Sequence, residues 1–467
     1  MDFLAPPTQF QHFGYPIAIF YIVAFIGLGL LFFRPYWAFL FSLFCLAARN
    51  FHAAVYTRTE FLGPYLNLND LLLWIALFAL IVELLHKRKT LWMPKILAAI
   101  FVLLFVGDLQ SIIKYGCAEE VLRRLWSTAI FPILFLVAAN FVNDAERAHS
   151  FYWALFLGAV TASLQHLFFI KTATFLQVYP GEAQIRTISY IMSGGLLLVI
   201  SAIFKKPDKN LGPYKSFLFY SGLALIGLSY LLSFSRGLYI FTLASLFVFP
   251  FLLKKGLRIY KPVYSLIVII ILALFVVEII SPNLKLDQIL NRRFESFRTK
   301  DKFSESYETR WQGAQTELNL WLNNSSLILG VGSVVPPEFQ YAEIEETGAL
   351  GHVGFTTYLC QYGILGLLLY GVFLPFLTIK VAKKYFAEHA FTYGGTIVLL
   401  AIACSLFDII GLTWSQHHLY AFTHVQGLIY GAMWGLYRGH ILEKKQALQY
   451  RPVPTILPKS ILRYNEK

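Results

Sequence analysis

The sequence predicts an all-α, polytopic membrane protein with about 12 transmembrane helices and one large periplasmic loop containing short helices, and three observations lead there. Many apolar runs reach 16–20 residues or more, the length that crosses a hydrocarbon core of about 30 Å. Only 14% of the 467 residues are charged, against about 25% in soluble domains, and mean hydropathy is +0.60. The alternating ten-residue segments of a β-barrel are absent from the sequence.

Taken in order, the spans expected are 15–33, 36–48, 68–86, 91–107, 126–142, 150–170, 187–204, 217–233, 237–253, 262–281, 353–379, 394–412 and 419–437. Basic loops set their orientation. His86-Lys87-Arg88-Lys89, Lys205 to Lys209, Lys254 to Arg258, Lys380 to Lys384 and Arg438 to Lys445 are expected on the cytoplasmic side. These loops fall at alternate ends of successive spans without conflict. Segment 36–48 is short for a crossing. If it crosses, thirteen spans put the amino terminus outside; if it is re-entrant or interfacial, twelve spans leave both ends inside, and the short length favours twelve.

The net charge of +13 raises the question of a nucleic-acid partner. Those basic residues cluster in short loops, as membrane orientation requires, and no DNA- or RNA-binding motif accompanies them. Cys45, Cys360 and Cys404 lie in apolar segments and Cys117 in a loop, which builds neither a metal site nor a disulfide framework. Met1 to Gly14 lacks the basic start of a cleavable signal, so the first apolar run reads as an anchor.

Residues 282–352 form the only large loop, too polar to span and too long for a mere connector. Within it Thr309 to Asn323 reads as a helix, with Thr309 and Gln312 as a capping box. Trp311, Ala314, Leu318, Trp321 and Leu322 recur at helical spacing. Such a helix lies on the membrane surface or packs on the bundle; both place Arg310 near the outer edge.

Four groups are expected on that outer face: Arg186, Arg236, Arg310 and His352. Ser233-Phe234-Ser235-Arg236-Gly237 separates two apolar runs, and an arginine at a span centre would cost about 2.5–3.5 kcal/mol. Gly237 offers a backbone break that brings Arg236 to a helix end. Guanidinium groups bind phosphate bidentately and keep their charge, so three beside a bilayer fit a lipid-linked phosphate or diphosphate. The plainer alternative is that each arginine snorkels to headgroups. His352 opens the next span at its outward amino-terminal end. The helix dipole there favours neutral imidazole, able to accept a proton, whereas a bound diphosphate would act oppositely. Asp408 with His417, His418 and His424 could form a proton path, or a polar cluster that binds substrate or ties helices. Glu119-Glu120 with Arg123-Arg124 reads as a solvated outer helix, and Glu343, Glu345 and Glu346 as a solvated run.

These features together resemble the O-antigen ligase and O-antigen polymerase superfamily of bacterial membrane glycosyltransferases. The resemblance rests on the Ser-x-Ser-Arg-Gly turn at 233–237, the loop arginine before Trp311 and the Gly-Val-Gly turn at 330–332. It continues through His352 and Gln361-Tyr362-Gly363-Ile364-Leu365-Gly366-Leu367, covering roughly 185–380. One departure is Val353, where the family usually carries asparagine after the histidine.

The resemblance implies an enzyme of the cytoplasmic (inner) membrane that transfers a glycan from an undecaprenyl-diphosphate carrier to an acceptor hydroxyl on the periplasmic face. It implies inversion, no metal and no cofactor. Arg236 and Arg310 would hold the diphosphate, Arg186 would assist, and His352 would orient or deprotonate the acceptor. The acceptor is a lipid A-core in a ligase or a second lipid-linked glycan in a polymerase, with the loop arrangement closer to the ligase. A secondary transporter built on Asp408 is the rival class. The expected organisation is a bundle over 1–281, a periplasmic loop over 282–352, further spans over 353–440 and a cytoplasmic tail over 441–467.

Overall fold

The computed structural model describes residues 15–48, 68–116, 118–175, 213–231, 300–324, 327–332, 354–389, 392–414 and 423–449. Their regular elements are helical, and no strand occurs among them. In chain order these are α1 (Tyr15–Phe33), α2 (Pro35–Ala48), α3 (Leu68–Lys87), α4 (Lys95–Tyr115), α5 (Ala118–Phe141) and α6 (Ala145–Phe175). There follow α7 (Pro213–Leu231), α8 (Lys300–Asn324), α9 (Gly354–Gly366), α10 (Leu374–His389), α11 (Tyr393–Trp414) and α12 (Thr423–Gln449). A π-helical segment, Leu367–Phe373, joins α9 to α10 in one continuous run. Lys95–Lys114 and Gly354–His389 are long and apolar enough to cross a membrane. The expected spans 187–204, 237–253 and 262–281 lie outside the described residues.

Local chemistry sets the helix ends. Asp144 accepts the Arg147 amide through Oδ1 at 2.8 Å and so caps α6, while the Thr392 hydroxyl accepts the Gly395 amide at 3.0 Å and caps α11. Pro94 precedes α4, and Gly116 closes it in the left-handed conformation.

The core is made chiefly of α2 to α6 with α11 and α12. Its tightest pair is α5 against α12, where Gly427, Gly431, Gly435 and Gly439 line one face at four-residue intervals. A Cβ at Gly427 would sit 2.6 Å from the Phe131 carbonyl oxygen, and those at Gly431, Gly435 and Gly439 would strike the carbonyls of Phe135, Val142 and Asn143. The two backbones are therefore in direct contact, the small-residue packing that holds helices together where lipid removes the hydrophobic drive.

Basic stretches gather at one end. Arg147 pairs with Glu83 at 3.1 Å, and Glu83 also pairs with Lys87. The Arg438 guanidinium lies 4.9 Å from the Trp92 ring centroid, and the Trp92 backbone exchanges two hydrogen bonds with the Asn140 amide. Lys444 pairs with Glu388 nearby. Of the loops expected in the cytoplasm, 86–89, 380–384 and 438–445 thus share one end; 205–209 and 254–258 lie outside the described residues.

The corner between α1 and α2 belongs to the same end, because the Tyr36 hydroxyl donates to the Arg147 carbonyl at 3.1 Å. From that corner α2 climbs beside α6 until Ala47 and Ala48 meet Gly158. Segment 36–48, expected as a re-entrant or interfacial piece, starts at the basic end and runs away from it. The cause is packing rather than length, since Ala38, Phe39, Leu43 and Leu46 are all buried.

Candidate functional site

At the end opposite the basic loops, α8 and residues 327–332 pack on α9. Gly363 interrupts α9 with φ 64° and ψ −161°. A break of this kind strands backbone groups that a buried or lipid-facing helix must satisfy some other way. The 327–332 turn satisfies them. The Val331 amide donates to the Cys360 carbonyl at 2.6 Å and the Gly332 amide to that of Gln361 at 3.0 Å. In return the Ile364 and Leu365 amides donate to the Leu327 and Ile328 carbonyls at 3.1 and 3.2 Å.

Glycine is required on both sides of this joint. A Cβ at Gly330 would lie 2.5 Å from the Gly363 nitrogen, and Gly332, at φ 117°, would press one into the Ser111 hydroxyl. From α4, the Gln110 side chain donates to the Gly330 carbonyl at 2.7 Å. The Gly-Val-Gly turn and the Gly363-Ile364-Leu365-Gly366 stretch, read separately in the sequence, are thus two halves of one structure.

The loop helix differs from its expected form. It begins at Lys300 rather than near Thr309, so Thr309 and Gln312 lie inside it and form no capping box. Its packed face is Gly313, Ala314, Glu317 and Leu320, with Trp311 and Leu322 exposed. The expected stripe was displaced by about a third of a turn because tryptophan and leucine occupy the outward side. Of the two placements considered, the observed contacts are those of a helix packed on the bundle.

Glu317 is only 5% exposed, at the centre of that face. The Thr356 hydroxyl donates to its Oε2, and the Thr357 hydroxyl donates to Oε1 at 3.0 Å and Oε2 at 3.3 Å. Asp108, also buried, lies on α4 next to the Gly107 and Ser111 positions that meet Gly332. Sequence reasoning passed over both carboxylates, since a lone acidic residue gives no signal that its face is packed. For Glu317, the position two turns after Arg310 is the one available cue.

Arg310 lies within α8, three positions before Gly313. Arg186, Arg236 and His352 fall outside the described residues, as do Cys117, His417, His418, Glu343, Glu345 and Glu346. His352 stands four positions before Thr356 in the chain. Glu119, Glu120, Arg123 and Arg124 lie in the first turns of α5.

Asp408 is buried on α11, where Gln426 donates to Oδ1 and the Tyr430 hydroxyl to Oδ2, each at 2.5 Å. Both partners lie on α12, so Asp408 ties two helices together. His424 is in the first turn of α12.

Among the described residues, Glu388, His389 and His440 could together offer three metal-ligand atoms, within 4.8 Å of one another. They lie at the basic end, about 50 Å of helix from Thr356, and belong to a different region. His389 Nε2 and His440 Nδ1 are 3.1 Å apart, and Lys444 holds Glu388 below the usual carboxylate range through a direct hydrogen bond. Burial, and the nearby His440, push the His389 imidazole below its ordinary value.

Fold and site define a helical protein in which α8 and the 327–332 turn are docked, through glycine and buried polar contacts, onto a broken apolar helix. Residues 221–371 match the family model for O-Antigen ligase, a segment that contains α8, the 327–332 turn, α9 and most of the π-helical stretch. The match bears out the resemblance to the O-antigen ligase and polymerase superfamily. That family implies glycosyltransferase-type chemistry in O-antigen assembly, on lipid-linked glycans, at the inner membrane. No curated protein matches the chain.

Proposed function

We propose that the protein transfers a glycan from an undecaprenyl-diphosphate carrier to an acceptor hydroxyl, on the periplasmic face of the inner membrane, in a multi-pass bundle. The acceptor hydroxyl oxygen attacks the anomeric carbon with inversion, the carbon–oxygen bond to the diphosphate breaks, and the polyprenyl diphosphate leaves. Arg236 and Arg310 hold that diphosphate and stabilise the charge it gains, with Arg186 assisting. His352 orients the acceptor and takes its proton. Positioned guanidinium donors in a partly dry site stabilise a departing anion strongly, which makes a metal ion dispensable. The acceptor is a lipid A-core, as in a ligase; polymerisation of lipid-linked repeat units would use the same donor site with a different acceptor.

The single observation that carries this reading is the joint at Gly330–Gly332 and Gly363. It holds the Arg310-bearing helix onto the helix that follows His352, at the end remote from the basic loops. The tie made by Asp408 supports a structural role for the intramembrane carboxylate rather than a transport path.

The test is glycan transfer by purified protein in liposomes containing a diphosphate-linked donor and either lipid A-core or a second lipid-linked unit. Arg236→Ala and Arg310→Ala should each lower turnover about 100- to 1,000-fold without loss of folded protein. Full turnover in both variants would defeat the reading. Solute flux that stops in Asp408→Asn would replace it with a transporter.

A further inference from the structure

At the basic end, α10 finishes on Glu388 and His389, and α12 brings His440 alongside them. His389 Nε2 faces His440 Nδ1 at 3.1 Å, with the two rings nearly perpendicular at 89°. Tyr385, one turn earlier on α10, backs both imidazoles: its ring stacks on His389 at 4.5 Å and meets the edge of His440 at 5.8 Å. The Glu388 carboxylate completes the group. Its Oε2 lies 3.4 Å from His440 Nε2, and its Oε1 accepts from Lys444, one turn beyond His440 on α12, at 2.5 Å.

Two nitrogens bound at about 2.0–2.1 Å to one tetrahedral ion stand about 3.3 Å apart. The observed 3.1 Å is close to that spacing. A hydrogen bond between neutral rings would also explain that distance, but it needs no carboxylate beside the same pair. Glu388 supplies a third donor atom and a negative charge, and one ligand atom from each of the three residues falls within 4.8 Å of the others. Its side chain is 47% exposed, so a rotation toward the rings closes the remaining gap without disturbing the core. The exposed side leaves a fourth position for water.

We propose that His389, His440 and Glu388 form a binding site for a divalent transition-metal ion of the zinc class, tying the end of α10 to α12. Imidazole nitrogens suit zinc, nickel and copper, whereas magnesium and calcium take oxygen ligands. Lys444 stays outside the coordination sphere and orients the carboxylate through Oε1, the usual task of an outer partner. The ion sits at the opposite end from Thr356 and takes no part in the proposed transfer, so the site stands or falls independently of that reaction.

The test uses the full-length protein, purified in detergent without a histidine tag and stripped by a chelator. Zinc ion alone is then titrated by calorimetry, with the thermal midpoint read in parallel. The wild type should bind one equivalent saturably and gain thermal midpoint, while magnesium at the same concentration should do neither. His389→Ala and His440→Ala should each weaken binding about 100-fold or more, and Glu388→Gln about 10-fold, since even an outer partner's loss costs about 10- to 100-fold. Glu388 is exposed, so Glu388→Gln remains decisive if a histidine variant fails to fold. No saturable zinc binding by the wild type overturns the proposal. Wild-type affinity in Glu388→Gln and in the folded histidine variants also overturns it, by placing the ion elsewhere on the chain.

Discussion

The α5–α12 pair and the α8–α9 pair are both close helix contacts, held in opposite ways. Between α5 and α12, four glycines bring backbone against backbone. Between α8 and α9 the contact is polar: a buried carboxylate on two hydroxyls, and a turn that pairs with the carbonyls and amides freed at Gly363. The first arrangement needs only shape. The second needs every partner present, because each buried group left alone costs about 1–3 kcal/mol. The α5–α12 contact thus relies on shape and the α8–α9 contact on matched polar partners.

The largest effect should come from filling the dry seam. Gly431→Leu would drive a side chain into the Phe135 carbonyl and Ala138, costing about 3 kcal/mol or more, and folded protein should largely vanish from size-exclusion profiles in detergent. An equal yield of folded Gly431→Leu would show that the helices do not meet as described. Next comes the polar joint. Gly363→Ala combines a left-handed backbone with a Cβ aimed at the Ile328 carbonyl, so a loss of about 1–3 kcal/mol is expected, along with faster exchange in 327–332.

A single tie should cost less. Asp408→Ala removes the acceptor for Gln426 and Tyr430 and should lower the thermal midpoint by the equivalent of about 1–2 kcal/mol. Turnover per folded molecule should be unaffected. The smallest effect is a pH response at the basic end. Folding lowers the His389 pKa from its ordinary 6.5, so the unfolded chain takes up the proton first. The stabilisation from the neutral ring is therefore whole above about pH 6.5 and declines as pH falls below it. His389→Asn should flatten the fall in thermal midpoint between about pH 7 and 5.

Much of this frame is legible in the sequence, because span length and basic loops are read directly from hydropathy and charge. Expected spans 15–33, 68–86 and 394–412 lie within a residue or two of α1, α3 and α11. The fourth span drifts from 91–107 to Lys95–Tyr115, since Pro94 delays its start and polar Asp108, Gln110 and Lys114 hide its continuation. The four-residue spacing of Gly427 to Gly439 is plain in the chain, but nothing local names α5 as its partner. At the site, the two glycine motifs were visible singly, while their mutual docking depends on a long-range contact. Glu317 was hidden by the ordinary expectation that a glutamate on a loop helix faces water.

The central claim is that a polyprenyl diphosphate docks at the end remote from the basic loops. A photoreactive polyprenyl diphosphate, cross-linked to the protein in liposomes and mapped by peptide mass spectrometry, tests it most directly. The account predicts labelled peptides from 300–324 and from the segments carrying Arg236 and His352, with labelling reduced in Arg310→Ala. Labelling confined to 380–389 and 438–445 would contradict it.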